Sequence, residues 1–211
     1  MTWSELTTVE QLEELVGRPA YRAANKVRAA LLPIDRDWLA ASPFCVLATA
    51  DDQGRCDASP KGDPPGQLVH IVDDTTIAIA ERPGNRRVDG YHNVLINPRV
   101  GLNFFVPGRG DTLRINGRAR LVSDADFFEA LVVKGHHPIL ALVVEIEEVF
   151  YHCAKAFMRS QLWQPETWQP DVLPSVAAIS KATIPDSPET LEQLEAYYGQ
   201  SYEQGIYSET R

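Results

Sequence analysis

The sequence is short of several residue types and patterns, and each shortage excludes something. Its 211 residues hold three cysteines, Cys45, Cys56 and Cys153. The number is odd and no two form a C-x-x-C pair, which excludes a disulfide framework and predicts a reducing compartment. No apolar run approaches the roughly 20 residues that cross a bilayer. The N-terminus, Met-Thr-Trp-Ser-Glu-Leu, lacks the basic-then-apolar pattern of a secretory leader, so the expected location is cytoplasmic. Basic charge is in deficit: 20 Lys and Arg face 29 Asp and Glu, for a net charge of -9. That balance argues against nucleic acid and anionic membranes as partners. There is no internal repeat. The adjacent His136-His137 sits in a Gly-Pro loop without nearby acids or thiols, so no metal is expected.

What is present is an ordinary globular composition, 44% hydrophobic and 23% charged. A chain of this length buries about 70% of its unfolded surface and needs no staple. Helical spacing marks residues 1–43, with Pro19 and Pro33 dividing them into short helices and Asp35 a cap before Trp38. Strand signals follow at Phe44–Ala50, Arg55–Ser59, Leu68–Val72, Thr76–Ala80, Val100–Val106, Thr112–Val122 and Leu140–His152. In Thr112–Val122, Leu113, Ile115, Gly117, Ala119 and Leu121 alternate with polar residues, the period of a strand with one buried face. Pro60, Pro64 and Pro65 are expected to stop regular structure. Helices are expected at Asn85–Asn97, at Asp124–Val133 behind an N-cap at Ser123, at Ala154–Trp163, and at Thr190–Tyr198 between Ser187-Pro188-Glu189 and Gly199. Residues 164–187 are Pro-rich and read as a surface loop. Most strand connections are too short for parallel crossovers, so the sheet is mainly antiparallel and expected to close as a barrel. The division is N-terminal helices (1–43), barrel (44–163) and a C-terminal loop and helix extension (164–211).

Charge is distributed unevenly. From Arg82 to Arg120 there are eight arginines and two acids, whereas 164–211 holds eight acids, including Glu203 and Glu209, against Lys181 and Arg211. Arginine favours bidentate contact with phosphate or carboxylate. Three motifs stand out. In Glu81-Arg82-Pro83-Gly84-Asn85-Arg86-Arg87 a strand turns through Pro-Gly into a helix that Asn85 would cap. Two arginines in a first turn oppose the helix dipole unless an anion binds there, so the stretch is either a phosphate site or a solvated helix start. In Asp57-Ala58-Ser59-Pro60-Lys61-Gly62-Asp63 a strand enters a loop that could present N–H groups, Ser59 and Lys61 to a ligand, or simply end a hairpin. In His152-Cys153-Ala154-Lys155, Lys155, Arg159 and Trp163 fall at i, i+4 and i+8, a cationic helix face that either covers a planar anion or pairs with acids. His152 and Cys153 point to opposite faces of a strand and make a poor catalytic pair.

Taken together and in order, these three motifs resemble the pyridoxamine 5'-phosphate oxidase-like, FMN-binding split-barrel superfamily, in a branch apart from the true oxidases. The resemblance covers roughly residues 20–165. It implies a mainly β fold with flanking helices, a six-stranded antiparallel split β-barrel, and a homodimer with FMN at the subunit interface. It implies that Asn85, Arg86 and Arg87 grip the FMN phosphate, with Ser59, Glu81 and Arg82 beside them and Lys61 near the flavin. The family's further arginine falls at Cys56 here, and Arg82 would replace it. Thr112 takes the position of a side chain that touches the flavin. His152, Lys155, Arg159 and Trp163 would approach the flavin of the other subunit. No residues match the oxidases' pyridoxal phosphate specificity set.

The implied activity is an FMN-dependent oxidoreductase acting on a small substrate, with no catalytic residue assigned. The alternatives are a binding or carrier module for flavin or haem, with His92, His136, His137 or His152 as axial ligand, and a deazaflavin-dependent reductase.

Overall fold

Period-two runs of β-branched and aromatic residues build the sheet, and short capped helices flank it. A computed structural model describes residues 2–199, 202 and 205–207, so Glu203, Glu209 and Arg211 of the acidic tail lie outside the described residues. The helices α1 (Val9–Val16), α2 (Tyr21–Ala24) and α3 (Pro33–Ala41) come first. Then follow β1 (Phe44–Ala50), β2 (Cys56–Gly62), β3 (Val69–Asp73), β4 (Thr76–Ala80), α4 (Asp89–Ile96), β5 (Arg99–Phe105), β6 (Thr112–Val122) and β7 (Ala141–His152). α5 (Lys155–Ser160), α6 (Val176–Thr183) and α7 (Leu191–Tyr197) end the chain. No helix among the described residues is long and apolar enough to cross a membrane.

The strands form one sheet in the order β2-β1-β5-β6-β7-β4-β3, every neighbouring pair antiparallel. This is the expected mainly β, antiparallel split-barrel architecture with flanking helices, but with seven strands where six were expected and without full closure. The edge strands β2 and β3 are not paired with each other, which leaves the barrel split. The inner face buries alternate residues: Cys45 and Leu47 of β1, Leu102 and Phe104 of β5, Leu113 and Ile115 of β6, Val149 of β7. Each such side chain contributes about 1.5–3 kcal/mol by leaving water.

Two local devices fix the frame. β6 and β7 slip register between Asn116 and Gly117, and a Cβ at Gly117 would run into the Glu145 carbonyl oxygen. Only glycine lets the two backbones approach so closely. The N-terminal segment is tied on where Arg28 and Val149 exchange backbone hydrogen bonds (3.1 and 2.7 Å). The Arg28 guanidinium reaches the fully buried Asp35 with contacts of 2.5 and 3.0 Å. Asp35 lies in the first turn of α3, where it accepts the Leu32 N–H (2.7 Å) while Pro33 opens the helix.

Several expected elements differ. β2 continues through Pro60, which is tolerated because β2 is an edge strand and needs no N–H on its outer side. The helix expected at Asn85 begins at Asp89, because Arg86 adopts a left-handed φ of 62°. The helix expected at 124–133 is a single 3-10 turn, Phe128–Leu131, with Phe127 stacked on His70 at 5.4 Å. The 164–187 stretch holds α6, capped by the Ser175 hydroxyl, and α7 is capped by Thr190 rather than opened by Pro188.

Two outcomes are expected. Gly117→Ala should cost at least the roughly 1–3 kcal/mol of overpacking, read as a lower urea midpoint. Burial alone would raise the Asp35 carboxyl, but Arg28 and the Leu32 N–H more than offset it and hold it below its ordinary 3.8. Its ionised form therefore stabilises the fold above pH 3.8, and that contribution is lost as pH falls through the folded value. Asp35→Asn should flatten the acid limb of stability against pH; an unchanged slope would refute this.

Candidate functional site

The first two motifs meet. β2 lies at one end of the sheet and β4 next to the other edge, yet their ends are joined by side chains. Lys61 Nζ sits 2.7 Å from Glu81 Oε2, and the Tyr91 hydroxyl of α4 donates to the same oxygen at 2.6 Å. Lys61 also lies 4.5 Å from the centre of the Tyr91 ring. Burial, then the Glu81 charge, push the Tyr91 phenol well above its ordinary value, so it remains a donor. Cys45, the cross-strand partner of Lys61, is buried, and desolvation pushes its thiol up to about 12. It is a packing residue, not a nucleophile.

These groups wall one side of a cavity of about 360 Å³. Ser59 and Lys61 line it from β2, Glu81 from the end of β4, and Asn85 and Arg87 from the following loop. Val88, Asp89 and Gly90 bring in the start of α4. That helix has no side-chain cap. Among the described residues, the N–H groups of Asp89 and Gly90 have no protein acceptor, whereas Tyr91 and His92 both donate to the Val88 carbonyl. Gly90 is buried, and a Cβ there would stand 2.9 Å from Asp57 Oδ2 and 3.6 Å from Ser59 Oγ. The absent side chain keeps the helix start open to the cavity. Arg87, well exposed, meets Asp89 at 2.5 Å.

The expected residues are thus distributed as follows. Ser59, Lys61, Glu81, Asn85 and Arg87 line one cavity. Asn85 does not cap α4; its Oδ1 accepts the Arg87 N–H (2.9 Å) and shapes the turn. Arg86 occupies the left-handed position beside it. Arg82 is committed elsewhere. It pairs with the buried Asp63 at 2.8 Å and donates to the Leu131 carbonyl at 2.8 Å, while Tyr207 donates to the other Asp63 oxygen at 2.9 Å. It does not line the cavity, and neither does Cys56. Thr112 is buried and faces His152 across β6 and β7, away from this cavity. Lys155, Arg159 and Trp163 do not share a helix face, because Gln161 turns left-handed and ends α5 at Ser160. Trp163 instead stacks on Phe157 and donates to the Arg109 carbonyl at 2.7 Å. The candidate haem ligands are dispersed: His136 stacks on Tyr207, His137 lies 3.8 Å from Glu129, and His92 and His152 line two other clefts. Sequence reading missed Tyr91 and Gly90. A tyrosine in a helical run reads as core, and only the fold brings it to Glu81.

A family model described as pyridoxamine 5'-phosphate oxidase matches residues 34–153. The chain belongs to this family. The match contains the whole cavity and spans more than half of the chain. No curated protein matches the sequence. Solved structures to which the chain is similar include HupZ of Group A Streptococcus, at 18% identity and TM-score 0.47 over 57% of this chain and 93% of that one. An FAD-binding protein from Mesorhizobium loti follows at 20% and 0.41 over 59% and 94%. General Stress Protein 26 from Bacillus anthracis gives 13% and 0.39 over 55% and 88%. Membership of the pyridoxamine 5'-phosphate oxidase family rests on the family model.

Breaking one side of a buried ion pair leaves a stranded charge. Arg82→Met should lower stability by about 3–5 kcal/mol in urea titration, and Arg82→Met with Asp63→Leu should recover most of it. An unchanged midpoint for the single variant would mean that Asp63 does not hold Arg82.

Proposed function

We propose that this chain binds FMN in the cavity at the start of α4 and works as an FMN-dependent oxidoreductase on a small substrate, as a homodimer with the cofactor at the subunit interface. The observation that carries the reading is the uncapped, glycine-opened N-terminus of α4 beside Ser59, Lys61 and Arg87. Free backbone N–H groups at the positive end of a helix suit a phosphate. The residues present fit that group, with one adjustment. Glu81 is already neutralised by Lys61, and Asp89 by Arg87. A phosphate would draw Arg87 from Asp89, an exchange of one charge-assisted contact for a stronger bidentate one.

FMN, when bound, supplies the electron-transfer chemistry, and the protein supplies position and charge. Ser59, Arg86, Arg87 and the α4 N–H groups would hold the phosphate. Glu81 and Tyr91 fix the half-buried Lys61 in place, so its cation stands at a set point of the wall rather than moving in solvent. The dimer is supported by what one protomer leaves uncovered. α1 buries none of its residues and exposes Val9, Leu12, Leu15 and Val16. His152, Lys155, Arg159 and Trp163 stand apart from the cavity of their own protomer, so they would serve the site of a second copy.

Replacing Arg86 and Arg87 together by Ala should weaken FMN binding, followed by quenching of flavin fluorescence, by roughly 1.5–3 kcal/mol for each charged hydrogen bond lost. Unchanged affinity would place the phosphate elsewhere. Gel filtration should return a dimer; a 23.5 kDa species would remove the interface site.

A further inference from the structure

The gap between the ends of β2 and β4 is bridged by two ion pairs, and the second has an unusual third member. Lys61 and Glu81 wall the cavity. Asp63 and Arg82 lie just past them, since only Gly62 separates Asp63 from Lys61 and Arg82 follows Glu81 directly. This second pair is the more buried of the two. It is also incomplete. Arg82 spends Nε on Asp63 and Nη2 on the Leu131 carbonyl, while its buried Nη1 finds no acceptor among the described residues. A buried ion pair roughly breaks even against its lost hydration, and an orphaned donor counts against it. Such a pair is marginal, so one added hydrogen bond can decide whether it stays closed.

Tyr207 adds that bond from 144 residues away. Its hydroxyl donates to Asp63 Oδ1 at 2.9 Å. Burial, then Asp63, push the phenol above its ordinary value, so it remains a donor. The ring is held as well. His136 stacks on it at 5.9 Å, and Lys134 Nζ stands 5.2 Å from its centre. Both come from one turn. Val133 and His136 exchange backbone hydrogen bonds (3.2 and 2.9 Å), which makes Lys134-Gly135 a two-residue hairpin loop with φ of 51° and 80°. A lysine in the left-handed region is strained and persists where its surroundings fix it. Here Leu131 and Val133, both buried, anchor the turn and aim Lys134 and His136 at the ring. One half-buried tyrosine thus ties the end of β2 to the turn before β7, and through Arg82 to the end of β4.

We infer that Tyr207 is a releasable clasp: seated between Asp63 and His136 it holds the end of β2 against the end of β4, and its release lets the cavity wall at Lys61 open. β2 is an edge strand with a ladder on one side, so nothing in the backbone resists that movement. The clasp acts on the protein with or without a ligand; only its consequence for cofactor exchange rests on the FMN reading.

Amide hydrogen exchange on the full-length protein without added cofactor tests the clasp. The Asp63 N–H donates to the Pro43 carbonyl and the Glu81 N–H to the Leu140 carbonyl (3.1 and 2.8 Å), so these two amides report on the two ends. Tyr207→Ala should speed both by tenfold or more, the scale of one hydrogen bond to a charged group. Tyr207→Phe keeps the stacking and should speed them less; where Tyr207→Ala does not fold by circular dichroism, Tyr207→Phe decides. Tyr202→Ala, in the same extension but packed on Tyr197 and Tyr198, should leave both amides unchanged, as should every variant the amides of β5 and β6. Unchanged exchange at Asp63 and Glu81 overturns the clasp. Equal acceleration in β5 and β6 also overturns it, because Tyr207 would then serve only global stability. With FMN, Tyr207→Ala should raise the association and dissociation rates by similar factors and leave Kd nearly unchanged; a change confined to dissociation overturns the gating of the cavity. Faster exchange at both ends in a protein that takes up no FMN supports the clasp and removes the FMN reading instead.

Discussion

Two ion pairs join the ends of the sheet where no backbone ladder does. Lys61 and Asp63 stand at the end of β2, and Glu81 and Arg82 follow β4, which lies next to the far edge of the strand order. Their contacts at 2.7 and 2.8 Å curl an open sheet toward closure. Backbone pairing would seal the seam completely and leave no cavity. Side chains reach further than a ladder's spacing of about 4.8 Å, so they hold the ends near each other and keep a cleft between them. The split of the barrel and the existence of the site are one structural fact.

That arrangement also sorts the charges. A buried ion pair needs further hydrogen bonds to offset the loss of water. Each pair here has them. Tyr91 donates to Glu81, while Leu131 accepts from Arg82 and Tyr207 donates to Asp63. Arg82 is thereby withdrawn from ligand binding, although it lies between Glu81 and the arginine-rich turn. The N–H groups at the start of α4, and Arg87, are taken up by neither pair.

The cationic stretch from Arg82 to Arg120 is largely answered inside the fold. β7 supplies Glu145 and Glu147 to Arg120 and Arg99. A run that reads as a phosphate- or carboxylate-binding surface in one dimension meets acids in three, some on other strands and some two residues away.

The sequence by itself determined the strands, their antiparallel sense and the two motifs that meet at the cavity. Period-two alternation in Thr112–Val122 and the short turns act over a few residues, so their physics is local. It also marked Ser59, Lys61 and Arg87 as cofactor candidates, through residue type and the turn before a helix. Only the tertiary structure decided which cations are buried in ion pairs and which pair at the surface. Arg82 and Arg87 are both arginines in one short stretch, and their difference lies in Asp63, brought from another strand. Tyr91 and Gly90 were invisible for the same reason, since their partners Glu81 and Asp57 come from different strands. The end of α5 at Gln161 and the seam across β2 and β4 depend on backbone geometry and long-range pairing, which residue spacing does not encode.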